Sequence, residues 1–244
     1  VGKVKEAFSE FSKPSIAIDA VIFRAKSKSD STDEHPKDYG LQVLLVREIG
    51  HEQWQLPGTI LRLGETPKDA MNRISDKKVD INKVRLNQLY TLADNVERDP
   101  RGHIISIVYY GVLKMSESEI QRELENKQEY GSARYEWQWF WVDKNNVPQG
   151  SPYGTVTNLM YDHESIIRDS VERLSRIVDS SDIAYEFIGK EFTISQLKSI
   201  YEMLVGRNIP SFRRNIKEKI EKVDKKLEGS NFRPAELYVK KTIQ

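Results

Sequence analysis

At 244 residues the chain is long enough for two domains or one large one, and it contains no cysteine, which excludes disulfides, cysteine nucleophiles and thiolate zinc sites and fits a reducing compartment. Its 38 basic and 37 acidic residues nearly cancel. No apolar run approaches the roughly 18 to 20 residues that span a bilayer, and Val1 to Phe8 lacks the apolar core of a signal peptide, so a cytoplasmic protein with no membrane partner is expected.

In chain order, Ser15 to Phe23 and Gln42 to Val46 read as strands from their β-branched content. Between them Lys26 to Tyr39 is rich in Ser, Asp, Lys and Pro and reads as a loop tip. Thr66, Pro67 and Asp69 supply an N-cap, a first-turn proline and a capping-box-like acid, so a helix is predicted to start there. Leu86 to Ala93 and His103 to Val112 read as strands joined by the polar turn NVERDPRG. Ser116 to Lys127, with Ser116 and Glu119 as a capping box, reads as a helix, and Glu136 to Val142 as a strand. This alternation predicts an α/β or α+β sandwich.

The segment from Trp54 to Ile81 resembles the signature loop and helix of a Nudix hydrolase: Gly, five residues, Glu, seven residues, then Arg-Glu-apolar-x-Glu-Glu-x-Gly-apolar. Thr59, preceded by Gly58, takes the place of the opening Gly, and Glu65 and Arg73 match. Ile74, Lys77, Lys78 and Asp80 then replace the next Glu, the Glu-Glu pair and the Gly. Positions 74, 77 and 78 share one helix face. Three carboxylates there could hold Mg²⁺, a hard cation that takes oxygen ligands, whereas two ammonium groups cannot. No metal site and no catalytic residue are therefore expected, beyond Glu65 and Arg73 as remnants of the box, and metal-assisted hydrolysis loses its basis.

From Asn158 the apolar period becomes three and four residues, through Leu159, His163, Ile166, Ile167, Val171, Leu174, Ile177 and Val178, which predicts an amphipathic helix of about five turns. It packs against its own domain or against a second copy. His103 and His163 read as structural histidines rather than ligands. Ser180 to Asp182 mark a boundary, dividing the chain into 1–181 and 182–244.

Residues 190–244 hold thirteen Lys and Arg against seven Asp and Glu, a net of +6, so the remainder carries −5. Such asymmetry points the basic part at a polyanion. Thr193 and Gln196 form a capping box before the apolar face Leu197, Ile200, Tyr201 and Leu204, and this helix should end near Gly206. A second helix is predicted from Pro210 to Lys222, with Phe212, Ile216, Ile220 and Val223 buried. Short strands at Lys225 to Leu227 and Glu236 to Lys240 follow. Helix, turn, helix and hairpin make a winged helix-turn-helix, whose second helix enters the major groove. At about 100° per residue, Arg213, Arg214 and Lys217 lie outside or at the rim of the core face. Ser211, Arg213, Arg214, Lys217, Lys225 and Arg233 are the candidate DNA contacts, while Glu218 and Glu221 also point outward and count against a simply basic helix.

A degenerate Nudix body followed by FTISQLKSIYEML, SFRRNIKEKIE and FRPAELYVKK resembles the Nudix-related transcriptional regulators of the NrtR family over nearly the whole chain. Arg98-Asp99-Pro100-Arg101-Gly102 and Asp162-His163 are further matches, while Phe232 departs from the glycine the family usually has before the wing Arg-Pro. The resemblance implies a Nudix-like α/β/α sandwich followed by a winged helix, acting as a homodimeric repressor on a double-stranded DNA operator. It further implies a non-catalytic Nudix domain that senses ADP-ribose, a related NAD metabolite or a sugar, near Arg47, Trp54, Arg62, Glu65 and Arg101, with no cofactor required. Two alternatives stay open. One is a Mg²⁺- or Mn²⁺-dependent hydrolase of ADP-ribose or another nucleoside diphosphate derivative; the other is an inactive module whose winged helix binds protein.

Overall fold

The computed structural model describes residues 13–28, 38–77, 84–114, 135–142, 148–149, 159–226 and 235–241. Within them lie β1 (Ser15–Ser27), β2 (Tyr39–Glu48), β3 (Gly58–Ile60), α1 (Pro67–Lys77), β4 (Val84–Leu92), β5 (Ile104–Leu113), β6 (Tyr135–Val142) and β7 (Pro148–Gln149). Next come α2 (His163–Ile177), α3 (Ile183–Glu186), α4 (Ile194–Val205), α5 (Phe212–Ile216), a 3₁₀ turn (Lys217–Lys219), β8 (Ile220–Lys226) and β9 (Glu236–Lys240). The predicted helix Ser116 to Lys127 lies outside the described residues, as do residues 29–37 of the loop predicted over Lys26 to Tyr39, whose ends instead belong to strands: Lys26 and Ser27 to β1 and Tyr39 to β2.

Seven described strands form one mixed sheet in the order β4-β5-β1-β2-β6-β7, with β3 also paired to β1. β1 and β5 run parallel from Ser15 opposite Ile104 to Phe23 opposite Val112, and the other pairs are antiparallel. Because successive side chains alternate between faces, β1 divides its apolar residues between two cores. Ile18, Ala20 and Ile22 join Leu44 and Trp139 under Ala70 and Met71 of α1. Val21 and Phe23 join Val43, Leu45, Trp54 and Phe140 under Ile166, Ile167, Val171 and Leu174 of α2. A sheet apolar on both faces needs cover on both, and the two helices complete the expected α/β/α sandwich.

The second core continues without a break into Leu197, Ile200, Tyr201, Leu204, Phe212, Ile216 and Ile220 of the C-terminal elements. The backbone N–H of Tyr39 donates to Ser199 Oγ across the junction at 2.9 Å. α4 starts at the predicted capping box, with Gln196 N–H donating to Thr193 Oγ1 at 3.2 Å and Thr193 N–H to Gln196 Oε1 at 2.8 Å. It ends at Gly206, whose φ of +69° is the left-handed conformation glycine reaches most easily.

Two predicted helices are shorter than expected. The helix expected from Asn158 begins at His163, because Leu159 bridges Trp54, Met160 N–H donates to Trp54 O at 2.8 Å, and the chain then turns through Tyr161 at a left-handed φ of +54°. The helix expected over Pro210 to Lys222 is five α-helical residues, Phe212–Ile216, and one 3₁₀ turn. Ile220 instead opens β8, five residues before the strand predicted at Lys225, because residues 220–222 pair with Lys240, Val239 and Tyr238 of β9.

Candidate effector site and nucleic-acid interface

The Nudix-like loop is closed by its one matched acid. Arg73 grips Glu65 from both sides, with Nε 2.7 Å from Oε1 and Nη2 2.8 Å from Oε2, while Arg62 N–H donates to Oε2 at 2.8 Å. The same guanidinium donates to Thr59 Oγ1 and to the Ile60 carbonyl on β3. Hydrogen bonds from Arg73, then from the Arg62 backbone, hold the Glu65 carboxyl down at about 2. The predicted cap is present, with Thr66 N–H and Oγ1 both donating to Asp69 Oδ2 and Asp69 N–H returning to Thr66 Oγ1.

These residues do not fit the Mg²⁺ that Nudix chemistry uses. Both Glu65 oxygens are committed to Arg73, and among the described residues no group of three His, Asp or Glu side chains is placed to hold a metal ion. Ile74 and Lys77 lie on α1 with side chains outside the described residues, as is all of Lys78.

Arg47 and Trp54 come together on the other face of the sheet. The Arg47 guanidinium stacks 4.7 Å from the Trp54 ring centre and pairs with Glu136 at 2.6 Å. Trp54 is itself buried, edge-on to Phe140 at 4.8 Å, so its indole is first a core aromatic. Arg62, Glu65 and Arg73 gather instead at β3 and the start of α1, which packs against the opposite face. The five candidate effector residues thus form separate groups.

Arg101 belongs to a third group. Its guanidinium makes a forked pair with Asp99, at 2.9 and 2.7 Å, and lies 4.8 Å from the ring centre of Tyr161. The hydrogen bonds from Arg101 hold the Asp99 carboxyl below its ordinary value. Beside it Arg98, whose side chain is 5% exposed, donates to Asp162 at 3.0 Å, while its Nε and Nη1 are buried without a partner among the described residues. Reading the sequence picked out Arg101 and passed over Arg98; the RDPRG segment carried both, and only burial separates them. His163 accepts from Leu56 N–H through Nδ1 at 3.0 Å, and burial pushes its pKa down, so it is the structural histidine expected. Its Nε2 faces the buried Asp19 at 4.0 Å. Gly58 leaves room for that carboxylate, since a Cβ there would lie 2.4 Å from Asp19 Oδ1.

The winged elements gather most of the predicted DNA contacts. Ser211, Arg213, Arg214 and Lys217 line one cavity of about 800 Å³ between α5 and the hairpin, together with Lys222 and Lys241. Arg214 and Lys217 are exposed and make no ion pair among the described residues. Arg213 is partnered, 3.6 Å from Glu236 and 3.4 Å from the Tyr238 hydroxyl. Lys225 lies on β8 with its side chain outside the described residues, as is all of Arg233. Lys222 and Lys241 escaped the sequence reading because the first was placed in a helix and the second beyond the strand.

The family model for the NUDIX domain matches residues 18–154, and that for the NrtR DNA-binding winged helix domain matches residues 184–239. The ADPR responsive transcriptional repressor NtrR of Acinetobacter baylyi is 25% identical over 241 residues, covering 94% of this chain and 83% of that protein. An ADP-ribose pyrophosphatase of Methanocaldococcus jannaschii is 34% identical over 115 residues, 47% of this chain and 54% of that enzyme. Among solved structures, Shewanella oneidensis NrtR complexed with a 27mer DNA superposes with a TM-score of 0.62 at 24% identity over 93% of each chain. A MutT/nudix family protein from Enterococcus faecalis gives 0.65 at 18% identity, covering 98% of this chain and 92% of that one. With the Nudix match spanning more than half its length and the winged-helix match following in order, the chain belongs to the Nudix family, as an NrtR-like member that carries a DNA-binding winged-helix domain.

Proposed function

We propose that the chain is a DNA-binding transcriptional repressor whose Nudix body senses ADP-ribose, the effector named for its Acinetobacter relative, and does no chemistry on it. The observation that carries this reading is the pair Arg214 and Lys217, exposed and without an ion pair among the described residues, on an NrtR-type winged helix. Phosphate contacts of that kind give affinity that falls as salt rises. The protein would act in the cytoplasm as a homodimer on a two-fold symmetric operator, without a required cofactor.

α2 is the element suited to carry the signal. Its N-terminal end is tied to the RDPRG segment through Asp162 and Arg98. Just past its C-terminal end, the Asp179 carbonyl accepts from Lys219, and Asp182 pairs with Lys240 of β9. A ligand that binds one arrangement of these contacts better than another shifts the balance by its difference in affinity. Arg47, Trp54, Arg62, Glu65 and Arg101 remain the proposed effector contacts, with Arg98 added, and the ligand must draw their separate groups into use.

Binding of labelled DNA from upstream of the chain's own operon tests the reading, measured across a salt series. Affinity should fall steeply with salt, and the double change Arg213→Ala with Arg214→Ala should abolish it while ADP-ribose binding persists. Salt-insensitive binding would remove the DNA assignment. The likeness to an ADP-ribose pyrophosphatase keeps hydrolysis as a second reading. AMP released from ADP-ribose with Mg²⁺ or Mn²⁺, and lost in Glu65→Gln, would establish it.

A further inference from the structure

Glu236 stands amid the cations of the wing face with three donors turned toward it. Lys222 Nζ donates to Glu236 Oε1 at 2.8 Å, and the Tyr238 hydroxyl donates to Oε2 at 2.8 Å. Arg213 Nη2 lies 3.6 Å from the same Oε2. The donors come from α5, β8 and β9, so the three elements of the winged face meet on this carboxylate. The group is open to solvent, with side chains 73%, 54% and 42% exposed for Arg213, Lys222 and Glu236. Arg213, Lys222 and Tyr238 also line the cavity shared by Arg214, Lys217 and Lys241.

We propose that Arg213, Lys222 and Tyr238 form a phosphodiester-binding position, and that the Glu236 carboxylate fills it in the DNA-free protein. A phosphodiester offers what the carboxylate offers, one delocalised negative charge with two outward oxygens for charge-assisted hydrogen bonds. DNA therefore gains this position only by displacing Glu236. Phosphate contacts carry no sequence information directly, so the internal anion weakens binding to every sequence alike. Base contacts are then left with a larger share of the discrimination. The Glu236 carboxyl is held at about 2 by Lys222 and Tyr238, so the competition persists through the neutral range. This inference rests on the DNA-binding reading and adds residues to it.

The test is binding of a labelled random-sequence duplex by the full chain, from about 50 to about 200 mM salt. Glu236→Gln should bind more tightly than wild type at the low end. Its slope of log affinity against log salt should steepen by about 0.9, the value for one more neutralised phosphate. Glu221→Gln is the control, because Glu221 is exposed in the same cavity without an ion pair among the described residues. It should tighten binding less and leave the slope unchanged. Adding Lys222→Ala to Glu236→Gln should remove the gain. The proposal is overturned if Glu236→Gln binds no more tightly than wild type, if its slope is unaltered, or if Glu221→Gln matches it in both respects. If neither wild type nor Glu236→Gln binds the duplex at about 50 mM salt, the DNA-binding reading itself falls. Thermal unfolding of each variant keeps a misfolded protein from passing for a weak binder.

Discussion

Glu65 keeps its place in the Nudix pattern but not the role of that place, since Arg73 and the Arg62 backbone occupy both its oxygens. Glu65→Gln leaves one acceptor where two were used. It should lower the thermal midpoint at neutral pH while leaving the salt dependence of DNA binding unchanged. A depressed carboxyl stabilises the fold above its ordinary value of 4.5 and loses that contribution as pH falls toward about 2, so the gap between wild type and variant should close over that range. His163 gives the other pH-dependent contribution. Its folded-state pKa lies below 6.5, so its neutral form supports the fold fully above that value and progressively less as pH falls below it. His163→Asn, with a carbonyl able to accept from Leu56 N–H, should flatten the dependence of denaturant midpoint on pH below 6.5. Spacing was enough to identify Glu65, Arg73 and the missing carboxylates. It could not tell that Asp99 takes the fork of Arg101, or that Arg98 is the buried member of the segment, because both depend on what the fold packs around them.

At the scale of elements, local chemistry decided the outcome wherever an element is capped by its own neighbours. The Thr193 capping box and the Gly206 stop bound α4 as the sequence indicated. Thr193→Ala should cost about 1 kcal/mol in chemical denaturation, and a change near zero would mean that packing alone fixes the helix start. Where partners are distant the reading failed. Ile220 and Val223 suit a helix spaced by three, yet β9 supplies the pairing that makes residues 220–226 a strand, as expected when tertiary context overrides local preference. The start of α2 is set by Trp54, more than a hundred residues earlier. The shorter α5 also moves Lys222 off the helix and onto the hairpin, where it meets Glu236.

The molecule as a whole joins Nudix body and wing through one apolar core, running from Val21 and Phe23 to Leu197, Ile200 and Phe212. All four tryptophans, Trp54, Trp137, Trp139 and Trp141, lie before residue 182. Leu197→Ala in the winged half should destabilise by about 2 to 5 kcal/mol and shift the tryptophan fluorescence transition with it. Two separate transitions would mean that the halves unfold independently. Charge asymmetry, a degenerate Nudix box and the order of C-terminal elements made the sandwich and the winged helix legible. The junction between them was not, because contacts such as that from Tyr39 N–H to Ser199 Oγ join residues 160 apart in sequence. Under the proposed function, ligand binding would reach DNA through α2 and the contacts at its two ends. The most direct test is therefore titration of ADP-ribose, without added metal, into the chain bound to labelled DNA from upstream of its own operon. Release of the DNA with a shift in affinity of about 5- to 150-fold, and no AMP formed, is the predicted result. DNA affinity that is unchanged at saturating ADP-ribose would contradict the account.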